Sequence, residues 1–291
     1  MKILLIGKNG QVGRELERAL APLGELTACD RAALDLGKPE QIVSAIRAAK
    51  PEVIVNAAAY TAVDKAESEP ELAIAVNARA PGILAEEATR HGALLVHYST
   101  DYVFDGTKKG AYTEEDKPDP PNVYGMSKLE GERAIQSSDC RHLIFRTSWV
   151  YAPAGKNFLL TILRLAREKP ELRVVDDQTG APTSARMIAE ATAACLRTVA
   201  AGKSPASGVY HMSAAGQTTW CGFARAIVAA AGLPTKIVPI GTKDYPTAAG
   251  RPSNSLLDNT RLFDTFGVRL PAWEDGLAQV LAELEKSGAA I

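Results

Sequence analysis

The chain has 291 residues, and its 33 Lys and Arg nearly balance 34 Asp and Glu, for a formal net charge of −1. That balance argues against a nucleic-acid or anionic-membrane partner, and no apolar run approaches the ~20 residues needed to span a bilayer. Hydrophobic residues at 46% and charged residues at 23% are ordinary for a globular chain, with core enough for one large or two modest domains.

The first half alternates apolar runs with helical patterns. "KILLI" (2–6) reads as a strand buried on both faces, and "VGRELERAL" (12–20) as a helix. "ELTAC" (25–29) predicts a second strand, "PEQIVSAIRAAK" (39–50) a helix opened by Pro39, and "VIVNAAA" (53–59) a third strand. A helical stretch runs from about Glu71 to His91, with a kink or break expected at Pro81. "ALLVHYST" (93–100) and "HLIFRTSWV" (142–150) are further strands. Such repetition implies right-handed crossovers and an α/β, doubly wound parallel sheet.

Past residue 150 the rhythm changes. Helices are expected at 157–169, 185–199, 219–232 and near 274–286, and strands within 172–184 and 209–214. The stretch 200–208 reads as a loop. "GTKDYPTAAGRPSNS" (241–255) is a longer loop, of a length that suits function better than mere connection. This pattern divides the chain into a dinucleotide-binding domain at 1–150, joined by about 185–213, and a smaller interleaved substrate lobe at 151–184 and 214–291. Cys29, Cys140, Cys195 and Cys221 are scattered without a CxxC, and the four His lack metal-type spacing. With an N-terminal apolar stretch too short for a signal peptide, these features suit a cytoplasmic protein.

Several segments carry chemistry. "GKNGQVG" (7–13) lies between the first strand and first helix, with Gly7, Gly10 and Gly13 spaced GxxGxxG around Gln11 and Val12. Glycines there permit a tight turn and close approach of a pyrophosphate to a helix N-terminus. Asp30, at the end of the second strand, suits the adenosine ribose hydroxyls and would repel a 2′-phosphate. Arg31 beside it would attract that phosphate, so NADH and NADPH both remain open. Asp35 and Leu36 fall where a loop would cover the adenine. Ala57, Ala58 and Ala59 end the third strand and leave room for a cofactor; they also suit ordinary packing. Thr100 ends a later strand, where its hydroxyl would meet a substrate carbonyl or simply cap a turn. Tyr124 and Lys128 lie one helical turn apart, so the ammonium would lower the phenol pKa and make a proton donor for a carbonyl.

The glycine loop, a Thr ending a later strand and YxxxK some two dozen residues on resemble the extended short-chain dehydrogenase/reductase family. The segments "NAAAYTAVDKAESEP", "HYSTDYVFDG", "NVYGMSKLEGE", "FRTSWVYA", "DQTGAPTSA" and "RPSNS" extend the resemblance along nearly the whole chain. It implies a Rossmann-type fold and reduction of the C4 ketone of a dTDP-6-deoxy-L-lyxo-4-hexulose by NADPH or NADH. Tyr124 would be the general acid, Lys128 would tune it and hold the nicotinamide ribose, and Thr100 would hydrogen-bond the carbonyl oxygen. Thr61, Val63, Asp101, Tyr102 and Trp149 would line the sugar-nucleotide pocket, although Trp149 also reads as a core aromatic. Asn157 and Arg251 are candidates for the diphosphate; a solvent-facing Arg251 is the plain alternative. Some family members hold Mg2+ through carboxylates at a homodimer interface, which would fall to Glu15 and Glu190; otherwise both read as solvated helix faces. Tyr60, beside the alanines, departs from a His in the family pattern, which bears on positioning alone. Related dehydratases place a second acid where this chain has Tyr102. An epimerase or a non-catalytic NADP-binding regulatory subunit are the remaining readings.

Overall fold

The structure, a computed structural model, describes residues 1–202 and 207–288. In order the elements begin β1 (Lys2–Ile6), α1 (Gln11–Leu20), β2 (Glu25–Cys29), α2 (Pro39–Ala49), β3 (Val53–Asn56), α3 (Val63–Ala66) and α4 (Pro70–Ile74). A π-helical turn at Ala75–Arg79 leads into α5 (Ala80–His91), then β4 (Leu94–Thr100), α6 (Val123–Gln136), β5 (Arg141–Thr147) and β6 (Val150–Tyr151). Next come α7 (Phe158–Glu168), β7 (Glu171–Val175), β8 (Thr179–Gly180), β9 (Thr183–Ser184), α8 (Ala185–Ala200) and β10 (Gly208–His211). The chain continues through β11 (Thr218–Thr219), α9 (Trp220–Ala230), β12 (Lys236–Ile240), α10 (Thr260–Phe266) and α11 (Trp273–Lys286).

Six parallel strands form the main sheet in the order β10-β5-β4-β3-β1-β2. Successive side chains point to opposite faces. Ile3, Leu5, Val53, Val55 and Val96 therefore pack on one side with Leu16 and Leu20 of α1 and Ile188 of α8. Leu4, Ile6, Ile54 and Leu95 pack on the other with Ile42 and Ile46 of α2 and Leu84 of α5. The run from β1 to β2 goes one way along the sheet, and β3 onward goes the other. The order reverses between β1 and β3, and ligands bind beyond the carboxyl ends of strands at such a point.

C-terminal to β6, β12 pairs with β7, β9 with β6, and β11 with β8. Tyr151, Leu159, Phe223 and Trp273 share the hydrophobic cluster that covers one face of the main sheet. Pro81 does not break its helix. The helical backbone runs on through the π turn at Ala75–Arg79, which ends just before Pro81 and accommodates the N–H that the proline lacks. β12 and α10 lie in stretches that the hydrophobic pattern did not single out. Of the expected 200–208 loop, 203–206 lie outside the described residues, and Ala200 closes α8.

Candidate active site

A cleft of about 790 Å³ opens at the carboxyl ends of the strands. Its floor is the glycine loop. Gly7 has φ +90° and an added Cβ would sit 2.8 Å from the Ala58 nitrogen, so both backbone geometry and space demand glycine. Gly10 is the N-cap of α1 and makes no side-chain cap, which leaves first-turn N–H groups for an anion. Gly10, Gln11 and Val12 line the cleft. Gly13 does not: a Cβ there would lie 2.0 Å from the Gly7 carbonyl oxygen, so this glycine lets α1 close on the loop. Free helix N–H groups beside a cradle without side chains fit a dinucleotide pyrophosphate.

Asp30 does not line the cleft. Its Oδ1 accepts from the N–H groups of Ala32 and Ala33, and the Ala33 bond is the main reason its carboxyl lies below the usual range. Arg31 does line the cleft, with Asp35 and Leu36. Its guanidinium is 80% exposed and reaches Asp35 at 3.4 Å, an ion pair loose enough to exchange partners.

Ala57, Ala58, Ala59, Tyr60, Thr61 and Val63 continue the wall. Asn77, on the π turn, pins this segment: its Oδ1 accepts from Tyr60 N at 2.8 Å, and its Nδ2 donates to the Tyr60 carbonyl and the Ser127 hydroxyl. Tyr60 turns its own hydroxyl to Glu69 at 2.6 Å, which pushes that phenol up to about 12.

Thr100, Asp101, Tyr102, Tyr124 and Lys128 converge in the cleft. Asn122 caps α6 through Gly125 N. An added Cβ on Gly125 would lie 2.1 Å from the Tyr102 carbonyl oxygen, so glycine lets α6 seat against the turn after β4. The Tyr102 and Tyr124 rings then meet edge to face, centroids 5.7 Å apart. Thr100 Oγ1 accepts from Tyr102 N and donates to Asp101 Oδ1 at 2.9 Å. Burial pushes the Asp101 carboxyl up to about 6.

The phenol is not acidified. Burial pushes Tyr124 up to about 12, a hydrogen bond with Thr100 pulls the other way, and the Asp101 charge adds to the rise. Lys128 is turned elsewhere: its Nζ donates to the Tyr98 carbonyl at 2.6 Å and meets His97 Nε2 at 3.1 Å. Burial pulls this ammonium down to about 8, partly offset by the Glu132 carboxylate. Desolvation is the largest influence on both groups, and it decides the sign of each shift.

The remaining candidates separate. Trp149 is a cleft residue, half-buried, rather than a core aromatic. Its φ of 48° is unusual for a bulky residue, and its indole stacks on Trp220 at 3.5 Å. Asn157 does not line the cleft; it caps α7 and spends its amide on Gln11 and the Ala152 carbonyl. Arg251 is held by Asp64 at 2.8 Å and lies over the Tyr102 ring, and its Nη1 is buried with no hydrogen-bond partner among the described residues. It is neither solvent-facing nor in the cleft wall. Glu15 is no solvated helix face: its carboxylate is buried between Arg18 and Arg186, whereas Glu190 is exposed. Among the described residues no group of three or more His, Cys, Asp or Glu is placed to hold a metal, and no helix is long and apolar enough to cross a membrane. Lys156 and Trp220 line the cleft, and His97 stands behind it. Only the strand register, pairing Asn56 with His97, reveals the last of these.

The family model described as RmlD substrate binding domain matches residues 1–286. Dehydrorhamnose reductases are among the similar proteins. The dTDP-4-dehydrorhamnose reductase of Burkholderia thailandensis is 52% identical over 98% of this chain and 99% of its own length. That of Escherichia coli K12 is 48% identical, with 98% of each chain covered. A crystal structure of a dTDP-4-dehydrorhamnose reductase from Clostridium acetobutylicum superposes with TM-score 0.92 at 37% identity, covering 98% of this chain and 100% of that one. One from Bacillus anthracis, in complex with NADP, gives 0.89 at 34% identity, covering 97% and 100%.

Proposed function

The chain belongs to the RmlD substrate binding domain family, and on that premise we propose that it reduces the C4 ketone of dTDP-6-deoxy-L-lyxo-4-hexulose (dTDP-4-dehydro-L-rhamnose) to dTDP-L-rhamnose with NADPH or NADH. It is an oxidoreductase of the short-chain dehydrogenase/reductase type, and its relatives carry the same activity in their names. The convergence of Thr100, Tyr124 and Lys128 beside the glycine loop is the observation that carries this reading.

A bound nicotinamide would supply hydride to the ketone carbon. The protein's part is to place the ketone and to manage the proton. Tyr124 gives its hydroxyl proton to the alkoxide as negative charge grows on that oxygen. Thr100 shares its hydroxyl with the same oxygen when it turns away from Asp101. Lys128 Nζ donates to Tyr98 O and faces His97, and with or without its extra proton it keeps an N–H for a ribose hydroxyl. Tyr102, Thr61, Val63 and Trp149 shape the sugar-nucleotide side.

Arg31 favours NADPH, because an exposed guanidinium in the cleft wall suits a 2′-phosphate. Asp30 opposes this little, since its Oδ1 is turned to backbone donors. Magnesium has no place in this reading, because the buried Glu15 carboxylate is already matched by arginines. The charge-balanced chain, with its scattered cysteines, suits the cytoplasm.

The test is NADPH oxidation, followed at the nicotinamide absorbance, with the 4-keto sugar nucleotide supplied. Substrate-dependent oxidation to dTDP-L-rhamnose is expected. Cofactor binding without oxidation would instead favour a regulatory subunit.

A further inference from the structure

Behind the cleft a buried polar chain leads to Lys128 through two residues, Asn56 and His97, that the reaction above does not use. Asn56, His97 and Lys128 are each at most 2% exposed. Asn56 and His97 are register partners on β3 and β4. Asn56 Oδ1 accepts from Ala58 N at 3.2 Å, its Nδ2 meets His97 Nδ1 at 3.1 Å, and His97 Nε2 meets Lys128 Nζ at 3.1 Å.

Hydrogen-bond direction propagates along this chain. A backbone N–H can only donate, so the Asn56 oxygen must face Ala58 and its NH₂ must face His97. His97 Nδ1 must then accept. Burial holds His97 well below its usual range, so the ring is neutral and carries its proton on Nε2. That N–H points at Lys128. An ammonium, which has donors alone, would oppose it donor to donor, whereas a neutral amine offers the lone pair it needs.

We propose that His97 is a positioning residue for Lys128 whose Nε2–H tautomer, imposed through Asn56 by the Ala58 amide, favours the uncharged amine, so that Lys128 carries a proton it can lose. The alternative state exacts a rearrangement. For His97 to accept from an ammonium, the ring proton must move from Nε2 to Nδ1 and the Asn56 amide must turn over, which sets its NH₂ against Ala58 N–H.

The charged groups around Lys128 divide. On α6, Glu132 lies one turn beyond it and favours the ammonium, but Arg146 of β5 holds both Glu132 oxygens, at 2.9 and 2.6 Å. Tyr124 of the same helix is a neutral phenol, and from β4 the group in contact is His97. Burial acts in the same sense as the tautomer.

The tautomer can be read without any activity measurement. The full-length protein labelled with ¹⁵N-histidine and saturated with NADP⁺ gives long-range ¹H–¹⁵N correlations for four histidines, assigned with His97→Gln. The proton is expected on Nε2 of His97; a proton on Nδ1, or an imidazolium, overturns the proposal. The kinetic arm rests further on the Lys128 proton taking part in turnover, beyond the ribose contact proposed above. In His97→Gln an amide oxygen can turn to Lys128, so the alkaline limb of the kcat profile is expected to move up by about one pH unit. A downward move would overturn the proposal. An Nε2–H tautomer with an unmoved limb would keep the tautomer and remove Lys128 from the reaction, so the two failures are distinguishable.

Discussion

Tyr124→Phe deletes one oxygen from a side chain whose surroundings stay in place. The ring keeps its edge contact with Tyr102, and Thr100 keeps Asp101 and Tyr102 N as partners. Losing the hydrogen bond with Thr100 costs about 0.5–1.5 kcal/mol of stability, a fall of a few degrees in Tm for a chain of this size. Losing the proton donor is much larger: general-acid catalysis contributes about 10²–10⁴-fold, equivalent to ~3–5 kcal/mol of barrier. The cofactor's anchoring groups, the glycine loop and Arg31, lie elsewhere in the cleft and are unaffected. The expected result is therefore a kcat lowered by at least about 10²-fold with NADPH affinity unchanged, read by fluorescence titration beside the absorbance assay. Turnover within tenfold of wild type, in a variant of normal Tm, would refute the assignment of Tyr124 as acid.

Thr100→Val, isosteric without the hydroxyl, should lower kcat by about 10–10³-fold, while NADPH binding by titration stays as in wild type. Arg31→Ala should raise KM for NADPH by about tenfold or more, the scale of one charge-assisted hydrogen bond, and leave KM for NADH unchanged; equal effects on both would show that Arg31 does not read the phosphate. Glu132→Gln strands Arg146 in the core, where both side chains are nearly inaccessible, and should cost about 3–5 kcal/mol in denaturant unfolding; a cost below 1 kcal/mol would show the pair to be dispensable. Asp101 is pushed up to about 6 from 3.8, so its contribution to stability is fullest below about pH 4 and is lost as pH rises through 6, at most ~3 kcal/mol. Asp101→Asn should lack that decline, and parallel unfolding profiles for the two proteins would assign it elsewhere.

The sheet was legible because a parallel strand covered on both faces leaves a plain mark: "KILLI" and "VIVN" are unbroken apolar runs between turn residues. The cleft was legible for a related reason, since glycines and alanines at strand ends are where backbone must approach a ligand. What escaped was how each polar group spends its hydrogen bonds, whether on its own turn or on a partner far along the chain. Asp30 sits where a ribose ligand is expected, and its Oδ1 also serves the next turn. Asn157 reads as a phosphate donor until it is seen to cap its own helix. Glu15 meets an arginine 171 residues away as well as Arg18 on its own helix. β12 was invisible because Pro239 and half-buried positions interrupt its apolar pattern.

The pairing of Tyr124 with Lys128 exposes a limit of local reasoning about charge. A phenol and an ammonium one turn apart suggest mutual attraction, yet burial dominates both, and their pKa values move against their charged forms. For a reductase this is no handicap. The alkoxide left by hydride addition is a base comparable to hydroxide, whose conjugate acid has a pKa of ~15.7. A phenol near 12 still gives its proton downhill to that oxygen, and at neutral pH it is always loaded to do so. An acidified phenol would spend part of its time as phenolate, which suits removal of a proton from an alcohol, the reverse reaction. Burial and the nearby Asp101 charge thus keep Tyr124 loaded with the proton that it gives to the alkoxide.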